Sequence, residues 1–298
     1  MDSAFLVLHA GHPFTWKAWH PEPVLVGTVA AATAFYCVRL TSRDVDFPGW
    51  LRIGSFFTGI FFVILALASP IDVGGGQSFA LHMLQHIILS TWAPPLLLLG
   101  MTAAILRPLL DLPGVLSLLR PITHPFVGAP LFIANMWFWH IPPIYDIAVA
   151  DGVVHYAMHL SFLISGLLFW WTLAAPIKDL HSLSTGWRLF YIFITGFPMM
   201  ALAFALIATP NAIYDYYATQ PRLWGMSPET DQQIGGALMG TLGELTMIIP
   251  FTMLFVRLMS DEEQQEQFNG PIGSGGASPD SNHPNDRGKV GDRPELSP

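Results

Sequence analysis

Seven stretches of this chain are long and apolar enough to cross a lipid bilayer as helices, and that pattern restricts the fold more than any other feature. Spanning about 30 Å of hydrocarbon takes roughly 17 to 25 predominantly apolar residues. The stretches run from Pro23 to Arg39, Trp50 to Ser69, Ser78 to Gly100, Pro125 to His140, Gly152 to Ala175, Trp187 to Thr209 and Asp231 to Arg257. The fourth is the shortest. With 52% apolar and only 11% charged residues, the chain has too little polar surface for a soluble domain. The expected fold is an all-α membrane protein, a bundle of seven transmembrane helices.

The basic residues orient the bundle. Arg39, Arg43 and Arg52 flank the first connection, Arg107 and Arg120 lie in the third, Lys178 and Arg188 flank the fifth, and Arg257 closes the last span. The other connections and the N-terminal segment hold only Lys17 and Arg222. Positively charged loops stay cytoplasmic, which puts the N-terminus outside and the C-terminus inside. Three regions follow: an extracytoplasmic segment over 1–22, a membrane domain over 23–259, and a tail over 260–298. The tail is rich in Gly, Ser, Pro, Asp and Asn, and is expected to be disordered because it has almost no large apolar residues to bury. Residues 1–22 do not resemble a cleaved signal peptide. Between the third and fourth spans, the stretch from Pro113 to Arg120 predicts a short helix along the inner interface. Pro94 and Pro95 are expected to kink the third helix in its inner half.

Two histidine pairs, His82 with His86 and His155 with His159, lie just inside the outer ends of the third and fifth spans. Spacing of i, i+4 puts both rings of a pair on one helix face. At 1.5 Å per residue, the first of each pair lies roughly 3 to 6 Å deep and the second roughly 9 to 12 Å. Imidazoles in hydrocarbon are costly unless something satisfies them, so four at matched depth point to a metal or cofactor. His140 ends the fourth span at the same face, and Asp231 opens the seventh. Met199, Met200 and Met239 fall roughly 12 to 15 Å deep and add thioether donors. Imidazole with thioether suits copper, Cu(I) in particular. Each residue also has a plainer role: a histidine can bond a backbone carbonyl, a methionine can simply pack, and Asp231 can cap a helix. His9, His12, His20, His124 and His181 lie outside the hydrocarbon, and Glu244 lies within the seventh span. Cys37 is alone, so no paired-thiol site can form within the chain.

Several blocks resemble the multi-span CtaG family of cytochrome c oxidase assembly factors. They are His82-Met83-Leu84-Gln85-His86 leading to Gly100, Trp139-His140-Ile141-Pro142-Pro143-Ile144-Tyr145-Asp146, His155 to His159, Phe197 to Ala203 and on to Tyr214, and Asp231 to Gly236. The resemblance covers nearly the whole membrane part. It implies a multi-pass plasma-membrane protein, an assembly factor rather than an enzyme, that matures a haem–copper oxidase by handling copper on the extracytoplasmic side. Its partners would be oxidase subunits and the lipid bilayer, with no nucleic acid. The family's histidine pairs fall on His82, His86, His155 and His159, and its aspartate–glutamine element on Asp231 and Gln232. Two alternatives stay open. A bis-histidine haem b between the third and fifth helices would make the chain an electron-transfer cytochrome. A copper permease would need a route through the inner half, where Glu244 and a few small residues offer the polarity. Retinal is excluded, because Lys17, Lys178 and Lys289 all lie outside the spans.

Overall fold

The computed structural model describes residues 14–177, 180 and 183–269, with side chains described as far as residue 262. Helices account for all regular structure among the described residues: α1 (Pro23–Leu40), α2 (Trp50–Ala68), α3 (Pro70–Gly75), α4 (Phe79–Gly100), α5 (Ala103–Leu110), α6 (Val115–Ile122), α7 (Pro125–Trp139), α8 (Pro142–Ala150), α9 (Gly152–Ala174), α10 (Thr185–Ala208), α11 (Asp215–Ala218) and α12, which runs from Pro228–Leu238 through a wider turn into Glu244–Asn269. Six of them, α1, α2, α4, α9, α10 and α12, are long and apolar enough to cross a membrane. The expected fourth span is the exception. α7 has 15 residues and is about 22 Å long, short of the hydrocarbon thickness. Phe190, Phe193, Phe197 and Phe204 on α10, and Ile248, Ile249, Met253 and Val256 on α12, are exposed. Such contiguous apolar surface suits lipid, not water.

α4 is the central element, packed against α2, α9 and the first part of α12, while α7 closes on α9 and α10. Its start is fixed by two side chains. Ser78 Oγ accepts from the backbone N–H of Leu81, and Asp231, reaching across from α12, accepts from Phe79 N–H at 2.7 Å, Ala80 N–H at 3.1 Å and the Ser78 hydroxyl at 2.7 Å. Farther along, Pro94 and Pro95 lack the N–H groups that would bond Ser90 and Thr91, and the ladder slips. Ala93 N–H bonds Ile88 carbonyl, five residues back, and Ile88–Trp92 forms a π turn. Where a kink was expected from the proline pair, the helix takes a π turn that begins two residues after His86.

α9 begins in the same manner, with Asp151 Oδ1 accepting from Val153 and Val154 N–H at 2.9 and 3.0 Å. Gly166 lets α9 meet the π turn of α4, since a Cβ there would stand 2.5 Å from the Ser90 carbonyl oxygen. Around the N-terminal halves of these helices lies the largest apolar core, with Phe79, Met83, Tyr145, Met158, Phe162, Leu202, Tyr214 and Tyr217 all buried.

The short helix expected after Pro113 is α6. Residues 260–269 are helical where disorder was expected; Asp261 to Gln267 holds several glutamates and glutamines, which favour helix. The rest of the tail, together with His9, His12, His181 and Lys178, lies outside the described residues. Met259–Pro298 separates as a unit of its own.

Candidate metal centre

The caps at Asp231 and Asp151 start α4 and α9 so that His82 and His155 each fall about one turn in, with His86 and His159 a turn deeper. All four rings are buried. His82, His155 and His159 converge: each offers one ring nitrogen, and these atoms lie within 4.8 Å of one another. His82 Nε2 and His159 Nε2 face each other at 3.3 Å. The His155 ring centroid is 5.0 Å from that of His82 and 4.3 Å from that of His159.

Which nitrogen of His82 carries the proton follows from its neighbours. Tyr217 donates its single hydroxyl hydrogen to the Gly75 carbonyl at 2.8 Å. His82 Nδ1 lies 2.9 Å from the same oxygen and must therefore be the donor, and Tyr145, at 3.0 Å, is the remaining donor to it. In the neutral ring this leaves His82 Nε2 with its lone pair directed at His159. A ligating histidine is normally oriented in this way, by a hydrogen bond to its other nitrogen. Burial pushes the Tyr145 and Tyr217 phenols well above the ordinary tyrosine value, so both remain donors at physiological pH.

His86 stands beside this group, its ring centroid 4.5 Å from that of His82 and 5.5 Å from that of His159. Phe162 covers it at 4.0 Å. Both of its ring nitrogens are buried with no hydrogen-bond partner among the described residues. A buried polar ring left unbonded costs free energy, which makes it a candidate ligand. His140 closes the group: Nδ1 is 2.7 Å from the Met136 carbonyl, and Nε2 is 3.2 Å from Met83 Sδ.

Other expected ligands make contacts of their own. Asp231 is not directed at the histidines; its oxygens accept three hydrogen bonds at the start of α4, so it acts as a cross-helix cap. Gln232 likewise ties the end of α10, accepting from Ile213 N–H at 2.8 Å and donating to the Leu206 carbonyl at 3.2 Å. Met200 is 46% exposed on the outside of the bundle, which removes it from a buried ligand set. Met199 and Met239 pack in the apolar core. Asp146 accepts from the N–H groups of Asp215 and Tyr216 at the start of α11, each at 3.2 Å. Glu244 lies near Gly196, where a Cβ would stand 3.2 Å from its Oε2.

Three residues in contact with these histidines were not singled out from the sequence: Met83, Tyr145 and Tyr217. For Met83 a signal was present, because it is three residues before His86 and so shares its helix face. The tyrosines gave none, since their role depends on chain closure.

A family model described as cytochrome c oxidase caa3 assembly factor (Caa3_CtaG) matches residues 33–261. An uncharacterized protein of Mycobacterium leprae is 25% identical over 232 residues, which cover 72% of this chain and 34% of that protein. Uncharacterized proteins of Mycobacterium bovis and Mycobacterium tuberculosis are each 24% identical over 238 residues, with the same shares covered. The chain thus spans about a third of the length of the curated relatives it matches. No solved structure matches it.

Proposed function

Since the chain belongs to the cytochrome c oxidase caa3 assembly factor family, we propose that it binds copper as cargo among its buried histidines and supports metallation of a haem–copper oxidase. The observation that carries this reading is the convergence of His82, His155 and His159, with ligand atoms within 4.8 Å of one another. Three imidazoles suit first-row metals rather than magnesium or calcium, which want oxygen. An oxidase supplies the reason for copper. His82 is held with its Nε2 lone pair inward, and His86 adds a fourth imidazole in reserve.

In this reading the protein works in the plasma membrane, N-terminus outside, with α7 as a seventh crossing. His140 ends α7 whereas His82 and His155 begin α4 and α9, so bringing them together requires α7 to run antiparallel to both. A short crossing helix is accommodated by local thinning of the bilayer. The site then lies in the outer half, where an ion could pass to a neighbouring membrane subunit without entering water. A porphyrin fits this geometry poorly: two axial ligands need an iron and a ring plane between them, and the facing nitrogens of His82 and His159 are 3.3 Å apart.

The test is copper and haem content of the full chain in detergent, beside a His155→Ala/His159→Ala variant. Copper bound by the wild type without a haem band, with one equivalent lost in the variant, is the expected result. Copper content undiminished in the variant, together with a fully metallated oxidase in a strain that carries it, overturns the proposal.

A further inference from the structure

His140 and Met83 form a contact that hydrogen bonding does not explain. The Met136 carbonyl, 2.7 Å from His140 Nδ1, can only accept, so Nδ1 carries the ring proton. In the neutral ring Nε2 then presents a lone pair, 3.2 Å from a thioether sulfur that has no hydrogen to give. Two electron-pair donors thus converge in a fully buried setting, Met83 at 0% and His140 at 4% exposure. His86 is the third member of the group. It shares a helix face with Met83, its centroid is 6.0 Å from that of His140, and neither of its nitrogens has a hydrogen-bond partner among the described residues.

We propose that Met83 Sδ, His140 Nε2 and His86 form a second cation position, separate from the His82, His155 and His159 group, that takes a soft monovalent ion of the Cu(I) class. The thioether sets its selectivity, because sulfur favours Cu(I) over the divalent ions that three imidazoles also accept. His86 lies between the positions, its ring 4.5 Å from that of His82 and 6.0 Å from that of His140. An ion can therefore change position by exchanging ligands on one helix. The inference rests on the copper-handling reading in one respect, that metal reaches this cluster at all.

The experiment titrates the full-length protein in detergent with Cu(I) under anaerobic reducing conditions against a competing chelator, and reads X-ray absorption at one and two equivalents. Two equivalents per chain are expected, the second weaker than the first because like charges repel, and one of them showing a sulfur scatterer. Met83→Leu is expected to lose one equivalent and the sulfur signal; His155→Ala/His159→Ala is expected to lose one equivalent and keep it. A wild-type spectrum with nitrogen ligands only overturns the second position and leaves the histidine site standing, and this reading needs no variant to fold. Two equivalents retained in Met83→Leu overturn it equally. No bound copper in any form removes both readings together.

Discussion

Replacing Tyr217 with Phe tests the link between the helical scaffold and the metal group. The hydroxyl removed is the acceptor for His82 Nδ1 at 2.9 Å and the donor to the Gly75 carbonyl at 2.8 Å. Without it His82 is free to place its proton on Nε2, which takes the lone pair away from the face where His159 and His155 converge. Loss of such an orienting partner typically weakens metal binding 10- to 100-fold, or about 1.4 to 2.7 kcal/mol. The fold also loses stability, because the Gly75 carbonyl and the His82 N–H are left buried without this partner, at roughly 1 to 3 kcal/mol each. Chelator competition with Cu(I) on the detergent-solubilised protein measures the first effect, and thermal unfolding of the metal-free protein measures the second. Tyr145→Phe is the control: it removes one donor to Tyr217 and leaves the bond to His82 in place, so affinity should change less than about threefold on the same scale. A Tyr217→Phe protein that folds and binds copper within threefold of wild type would refute the argument that Tyr217 fixes the His82 tautomer.

Asp231→Ala should lower stability by roughly 3 kcal/mol through loss of a charged cap with three hydrogen bonds, yet keep copper stoichiometry in the molecules that remain folded; metal analysis after thermal titration checks both. Loss of copper at full stability would make it a ligand after all. Gly166→Leu pushes a side chain against the Ser90 carbonyl, where even a Cβ stands 2.5 Å away, and should cost about 1 to 3 kcal/mol while separating α9 from α4; reduced copper affinity alongside a lowered unfolding midpoint is the expected pair. The buried Tyr145 and Tyr217 phenols have values raised above the unfolded value of 10.0, so the stability they contribute is complete below pH 10 and is lost as pH rises further and the unfolded chain ionises first. Unfolding midpoints between pH 8 and 11 should fall at the upper end, and less steeply in Tyr145→Phe.

Features set by local chemistry were legible in the sequence. Helix starts at Ser78 and Asp151 follow from capping residues, and the i, i+4 histidines report a shared face wherever the helices pack. Composition likewise gave the membrane class, though length alone did not separate α7 from a full span. Roles that depend on distant partners were not legible. Asp231 stays open between ligand and cap until its 152-residue reach to Phe79 is known, and Met83 stands out only once His140 arrives beside it. The deeper methionines matched in depth but not in direction, as the exposure of Met200 makes plain. Depth along a helix follows from counting residues, whereas azimuth relative to neighbours needs the packed bundle.

The Asp231 cap also bears on how the protein is made. Residues 78 to 80 leave the ribosome about 150 residues before the carboxylate that completes their helix start, and His82 precedes Tyr217 by 135. Until α11 is made, the start of α4 lacks the phenol that aims its first imidazole, and until α12 follows it lacks the Asp231 carboxylate. A nascent chain halted before Tyr217 would hold His82 without either contact. This corner of the bundle is therefore completed late in synthesis, however early its first histidines are made.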